Sequence, residues 1–135
     1  MRKWIAITAI SLGLAACSTT GGPAREMPDY FYNALLSSEL ARTVAQECGE
    51  SLTYDESRWN TRLPEIAEQM AADGFGQRET QQLLTNLPQD RLRADAAAYI
   101  ADNNLVVGQP QTFCSAGRTE IANGTEIGSF LRAQG

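Results

Sequence analysis

Between Pro110 and Arg132 the positions Cys114, Gly117, Ile121, Gly124, Gly128 and Leu131 recur at steps of 3, 4, 3, 4 and 3, the period of one helix face. Half of that face is glycine. A glycine costs a helix interior about 1 kcal/mol against alanine, so a stripe that keeps three gains from lacking side chains. Close approach of a second helix is the gain expected. The segment from Asp29 to Cys48 carries a matching stripe of Phe31, Leu35, Ser38, Ala41, Ala45 and Cys48, small in its central positions. Run antiparallel with the cysteines opposed, the two helices set Ala45 against Gly117, Ala41 against Ile121, Ser38 against Gly124 and Phe31 against Leu131. The alternative is two separate amphipathic helices whose stripes correspond by chance.

The chain between these segments also reads as helical. Leu52, Trp59, Leu63, Ile66 and Met70 share one face of a helix from about Thr53 to Asp73, which Pro64 is expected to kink or divide. Gly74-Phe75-Gly76 makes a turn. A short helix from Gln77 to Asn86 carries Leu83 and Leu84, and another from Pro88 to about Asp102 turns Leu92, Ala96, Tyr99 and Ile100 inward. Asp29 suits an N-cap, Gly49 a C-cap, and Asn103-Asn104 a left-handed cap. Leu105-Val106-Val107 is the one β-like run, too short for a sheet, and is expected to lie as an apolar loop beneath the helices. The fold expected is all-α. It is a small single-domain bundle of about four to six helices, with the first and last antiparallel and joined by a disulfide.

The N-terminus bears on where this domain works. Arg2 and Lys3 precede an apolar run from Trp4 to Leu14, too short for the ~20 residues of a membrane span and suited to a signal-peptide core. Leu14-Ala15-Ala16-Cys17 closes it and resembles the lipobox of bacterial lipoproteins, which implies cleavage before Cys17 and a diacylglycerol on its thiol. An ordinary signal with a chance cysteine is the alternative. The organisation expected is therefore a signal peptide over 1–16, a lipid-anchored flexible tether over 17–28 and a helical domain over 29–135. Ser18 after the cysteine resembles the pattern for onward transport to the outer membrane, facing the periplasm. With Cys17 carrying lipid, Cys48 and Cys114 are the two cysteines left in an oxidising compartment, and they are expected to pair. Closing that 66-residue loop is worth about 4 kcal/mol on the chain-entropy model.

Loss of Arg2 and Lys3 with the leader leaves nine arginines against 16 acidic residues, so nucleic acid and anionic lipid surfaces are poor partners. The partners expected are the membrane, through the N-terminal lipid, and an unknown envelope protein or cell-wall component. Histidine is absent and the one lysine, Lys3, leaves with the signal. Histidine-assisted nucleophiles, histidine metal ligands and lysine Schiff bases are thereby excluded, and paired cysteines exclude thiolate catalysis. No cofactor, metal or catalytic residue is expected. Carboxylates remain: Glu65 with Glu68, and Glu47 with Glu50, sit at spacings a glycan hydrolase could use, though such pairs are more often a solvated helix face. Tyr54, Trp59, Arg118 and Glu120 form the candidate binding surface. Against that stands a structural reading, with the aromatics at the core edge and the charges in ion pairs. Asn123-Gly124-Thr125 matches the glycosylation triplet by chance in a bacterial setting. A non-catalytic envelope binding protein is the reading these residues favour; an acid-stress periplasmic chaperone is the alternative.

Phe113-Cys114-Ser115-Ala116-Gly117-Arg118-Thr119-Glu120-Ile121-Ala122, followed by Ile127-Gly128, resembles the ending of a domain-of-unknown-function family of small exported alphaproteobacterial helical proteins. The cysteine after the first helix, Cys48, and the Gly74-Phe75 turn are similar too, over roughly residues 29 to 132. The resemblance implies an exported helical domain with a cysteine pair and assigns no activity to any residue. Pro64 and the lipoprotein-type signal depart from its pattern.

Overall fold

The computed structural model describes residues 25–135; the signal peptide, Cys17 and most of the expected tether lie outside the described residues. Helix α1 (Asp29–Cys48) is the axis of the fold. Ten of its twenty residues are buried, more than a single stripe can supply, and a helix apolar on several sides has to be surrounded. It packs against α2 (Glu56–Ala72), α4 (Gln89–Asp102), α5 (Pro110–Asn123) and α6 (Glu126–Ser129), as well as strand β1 (Leu52–Tyr54). Helix α3 (Gln77–Thr85) joins α2 from outside and buries no residue fully. The fold is thus mostly helical, as the periodicity indicates.

The disulfide is present. Cys48 and Cys114 join α1 to α5 with their Cα atoms 4.8 Å apart. Following α1 backward from Cys48 and α5 forward from Cys114 brings Gly117 onto Val44, so the helices run antiparallel. A Cβ on Gly117 would stand 2.8 Å from Val44 Cγ1 and nearer still to Leu52 Cδ1, which is the close approach the glycine stripe anticipates.

The stripe does not continue as one helix to Arg132. Helix α5 stops at Asn123, and Gly124 takes a left-handed conformation with φ 62°. Nothing lies within 4 Å of where its Cβ would be, so Gly124 ends the helix and does not face Ser38. The four-residue α6 then folds Gly128 onto the Glu120 carbonyl, and the chain finishes as β2 (Leu131–Ala133). Strand β2 pairs antiparallel with β1, Leu52 opposite Ala133, Thr53 opposite Arg132 and Tyr54 opposite Leu131. The expected opposition of Phe31 to Leu131 therefore fails, because a strand carries Leu131 to the disulfide end while Phe31 packs with Ile66, Met70 and Leu92 at the other.

The start of the second helix also differs. Leu52–Tyr54 is strand, and α2 begins only after Asp55, whose carboxylate accepts from the Ser57 backbone N–H at 3.1 Å and caps it. Pro64 does not divide α2. Asn60 and Pro64 are both exposed, so water can satisfy the Asn60 carbonyl that proline leaves without a donor. Of the apolar loop, Leu105 is buried, but Val106 and Val107 stand in solvent. Asn104 has the anticipated positive φ, 53°.

Substitutions at the staple and at two glycines test this packing. Replacing Cys48 and Cys114 together by Ser should lower the unfolding free energy by about 4 kcal/mol in urea titrations. Gly117→Ala should cost about 1–3 kcal/mol, because Val44 and Leu52 must move aside. Gly124→Ala, by contrast, should cost through backbone strain alone and leave the packing around Val44 unchanged in methyl NMR spectra.

Candidate functional site

The four residues of the candidate binding surface are not brought together. The Tyr54 hydroxyl meets the buried Ser38 hydroxyl at 2.6 Å, its ring stacks on Phe130, and the Arg42 guanidinium lies 4.3 Å from the ring centroid. Trp59 tilts against Phe130 at 6.0 Å and touches both core clusters, so it is a joint between them. Glu120 accepts from the Tyr99 hydroxyl at 2.7 Å and from the Thr125 hydroxyl, which ties α4, α5 and the start of α6 into one polar node. Arg118 is exposed and makes no ion pair among the described residues.

Of the candidate carboxylates, Glu65 sits in a network of arginines. Glu65 is held by Arg58 at 3.5 Å and Arg62 at 3.2 Å, while Arg62 also reaches Glu126 at 3.0 Å. Glu65 is thus engaged by two arginines of its own helix, α2. Among the described residues no cluster of acidic or cysteine side chains could hold a metal ion. No described helix is long and apolar enough to cross a membrane.

Asp55 is a structural residue that the spacing of apolar positions does not single out. Besides capping α2, it accepts from the Ser57 hydroxyl at 2.5 Å and from Arg132 at 2.5 Å, and its backbone N–H donates to the Phe130 carbonyl at 2.8 Å. Those bonds to Ser57 and then the Arg132 charge hold its carboxyl below the usual aspartate value, against the cost of burial. A signal was available: Asp55-Glu56-Ser57 before an apolar period is an N-cap pattern. Three tyrosines also donate to carboxylates, Tyr30 to Asp73 at 2.9 Å, Tyr32 to Asp95 at 2.5 Å and Tyr99 to Glu120. Burial, and then the carboxylate beside each phenol, pushes Tyr30 and Tyr32 up to about 12 and raises Tyr99 as well.

Two concavities stand out. A polar cleft of about 460 Å³ opens between the C-terminal turn of α4 and the outer face of α5, lined by Asn103, Asn104, Gln111, Thr112, Ser115, Ala116, Thr119 and Glu120. Arg118 is not among the lining residues but follows Gln111 and Ser115 at helical spacing on the adjoining side of α5. An apolar groove of about 340 Å³ lies between α2 and α3, with Phe31, Ile66 and Met70 at its floor and Leu63, Pro64, Ala67 and Leu84 around it. Asn60 and Thr80 are its polar groups, and no charged side chain lines it. The sequence signal for this groove was Leu83-Leu84: on so short a helix only one of two adjacent leucines can turn inward, and Leu84 remains 42% exposed.

A disulfide-stapled helical domain with carboxylates at Asp55 and Glu120 engaged in structural nodes, and with open concavities on its surface, is the class of protein these features define. The profile of a Family of unknown function (DUF5333) matches residues 23–132, and the chain belongs to that family. No curated protein and no solved structure matches it.

The Asp55 node predicts an acid limb. A carboxyl depressed in the folded state contributes stability above its unfolded value of about 3.9, and that contribution disappears as pH falls through the lower folded value. Asp55→Ala should therefore cost about 1–2 kcal/mol at neutral pH by urea unfolding, and the gap to wild type should shrink under strong acid. The tyrosines predict the reverse limb. Their contribution is complete below pH ~10 and is lost as pH rises through the folded values, so phenolate absorbance should lag free tyrosine and appear together with alkaline unfolding.

Proposed function

We propose that this chain is a non-catalytic, lipid-anchored envelope protein that binds another protein or envelope component, and that the cleft between α4 and α5 is where it binds. One observation carries this reading. The cleft presents the amides of Asn103, Asn104 and Gln111 and the hydroxyls of Thr112, Ser115 and Thr119, beside an arginine with no ion pair among the described residues. Such a lining offers both donors and acceptors, and its one carboxylate, Glu120, is already engaged by the Tyr99 and Thr125 hydroxyls. It suits a hydrogen-bonding polymer, whether a peptide segment or a cell-wall strand.

Anchoring rests on Leu14-Ala15-Ala16-Cys17. There the Cys17 sulfur would displace the headgroup phosphate from a phospholipid, forming a thioether to the diacylglyceryl carbon as that C–O bond breaks and the thiol proton passes to the departing phosphate, and water would then cleave the Ala16–Cys17 bond. The leader supports export, and Ser18 supports the outer membrane as destination. Arg25 stands eight residues after Cys17, so the cleft's partner has to lie close to the membrane face, within about 28 Å of tether plus the domain itself.

A second reading, an acid-stress chaperone, is favoured by the clips on α4. Tyr32–Asp95 joins that helix to α1 and Tyr99–Glu120 joins it to α5, and acid removes the charge that makes both bonds strong. A chaperone of this kind would bind a hydrophobic dye and suppress aggregation of unrelated proteins at acid pH but not at neutral pH.

The test places a photo-crosslinking residue at Ser115, inside the cleft, and at exposed Arg78 on α3, away from the disulfide end, in living cells. Discrete adducts at Ser115 that vanish with Cys17→Ala and weaken with Arg118→Ala are expected. Identical smears at both positions, unchanged by loss of the anchor, would overturn the reading and favour the chaperone.

A further inference from the structure

The apolar groove between α2 and α3 lies apart from that cleft. Its lining carries no charge; Phe31, Ile66 and Met70 form its floor from within the core, while Leu84 on its rim stays 42% exposed because α3 covers α2 incompletely. The groove does not end at Leu84. A shallower depression of about 470 Å³, lined by Ala67, Ala71, Phe75, Gln77, Thr80, Gln81 and Leu84, continues it, sharing Ala67, Thr80 and Leu84. From Leu63 to Ala71 the helix rises eight residues, about 12 Å, so the two together form an apolar channel of that length along α2.

The first described residues meet this channel at one end. The Arg25 guanidinium lies 3.6 Å from the centroid of the Phe75 ring and donates to the Asp73 carbonyl at 3.2 Å, which fixes Arg25 at the channel mouth. Cys17 is eight residues upstream. Fully extended, those residues reach about 28 Å, more than twice the channel's length.

We propose that the channel between α2 and α3 receives an acyl chain of this protein's own Cys17-linked lipid. This rests on the lipid-anchor reading. A ligand on so short a tether acts at an effective concentration in the millimolar range, far above free membrane-derived fatty acid, so the chain's own lipid outcompetes other apolar occupants. The lining suits it. Uncharged walls accept methylenes without desolvating a charge, and α3, with no fully buried residue and glycines at 74 and 76 before it, can be displaced to admit them. The domain thereby has two states, both acyl chains in the bilayer or one of them in the channel, and the second holds the domain against the membrane face with the other chain still inserted.

A diazirine-bearing fatty acid fed to cells and incorporated into the anchor tests this on the full-length protein. Intact mass is measured first: absence of the acyl mass overturns both the anchor and this proposal. With the acyl mass present, the protein is released from membranes, irradiated and digested. The expected product is an intramolecular link from the Cys17 peptide to the peptides of Leu63–Met70 or Thr80–Leu84. It should fall to background in Ala67→Asp and in Leu84→Glu, both exposed positions, whose unfolding midpoints serve as the folding control. Links to other faces, or none, would overturn self-occupancy while leaving the anchor intact. A channel adduct carrying a separate phospholipid would overturn it too.

Discussion

Everything at the disulfide end depends on there being no side chain at Gly117. Val44 and Leu52 occupy the volume a Cβ would need, so α5 can lie against α1 closely enough for Cys48 and Cys114 to come within 4.8 Å at their Cα atoms. The same close approach directs the C-terminal segment. With α5 seated on α1, the turn at Gly124 returns the chain toward Leu52, and β2 finds β1 as its partner. The staple and the small sheet are therefore consequences of one contact between backbones, reinforced by a cross-link that closes 66 residues.

Polar groups lock this arrangement in ways apolar packing could not. Asp55 receives bonds from Ser57 and Arg132, so a single carboxylate fixes both the start of α2 and the end of the chain. Glu120 does the same for α4, α5 and Thr125. No buried side-chain nitrogen or oxygen among the described residues lacks a partner. Such complete satisfaction is what a structural role for these groups requires.

How legible was this in the chain? The helix stripes and the cysteine pair were readable because they rest on local periodicity and on which cysteines remain, and both are properties of the sequence itself. The break at Gly124 was not readable from period alone: a glycine at a stripe position satisfies helix packing and a left-handed cap equally well, and only the absence of a neighbour there decides between them. Leu52–Tyr54 read as helix because a three-residue strand has no period to detect, and its partner strand lies far along the chain, with Thr53 opposite Arg132. Of the candidate surface, Tyr54 and Trp59 are held in structure, Glu120 is held in structure and also lines the cleft, and Arg118 is exposed on the same helix with no ion pair among the described residues. The cleft itself joins Asn103 to Thr119 across a loop, and no one-dimensional pattern announces it.

The domain divides into a stapled half around α1, α5 and the sheet, and a loosely attached α3 that opens an apolar channel. Native-state hydrogen exchange tests that division directly, since amides report the free energy of the opening that exposes them. The backbone amides of Ala41–Cys48 and Phe113–Gly117 should exchange only with global unfolding, while those of Gln81–Thr85 should exchange orders of magnitude faster through local opening. Equal protection of α3 and α1 would contradict a division into stapled and loosely attached parts.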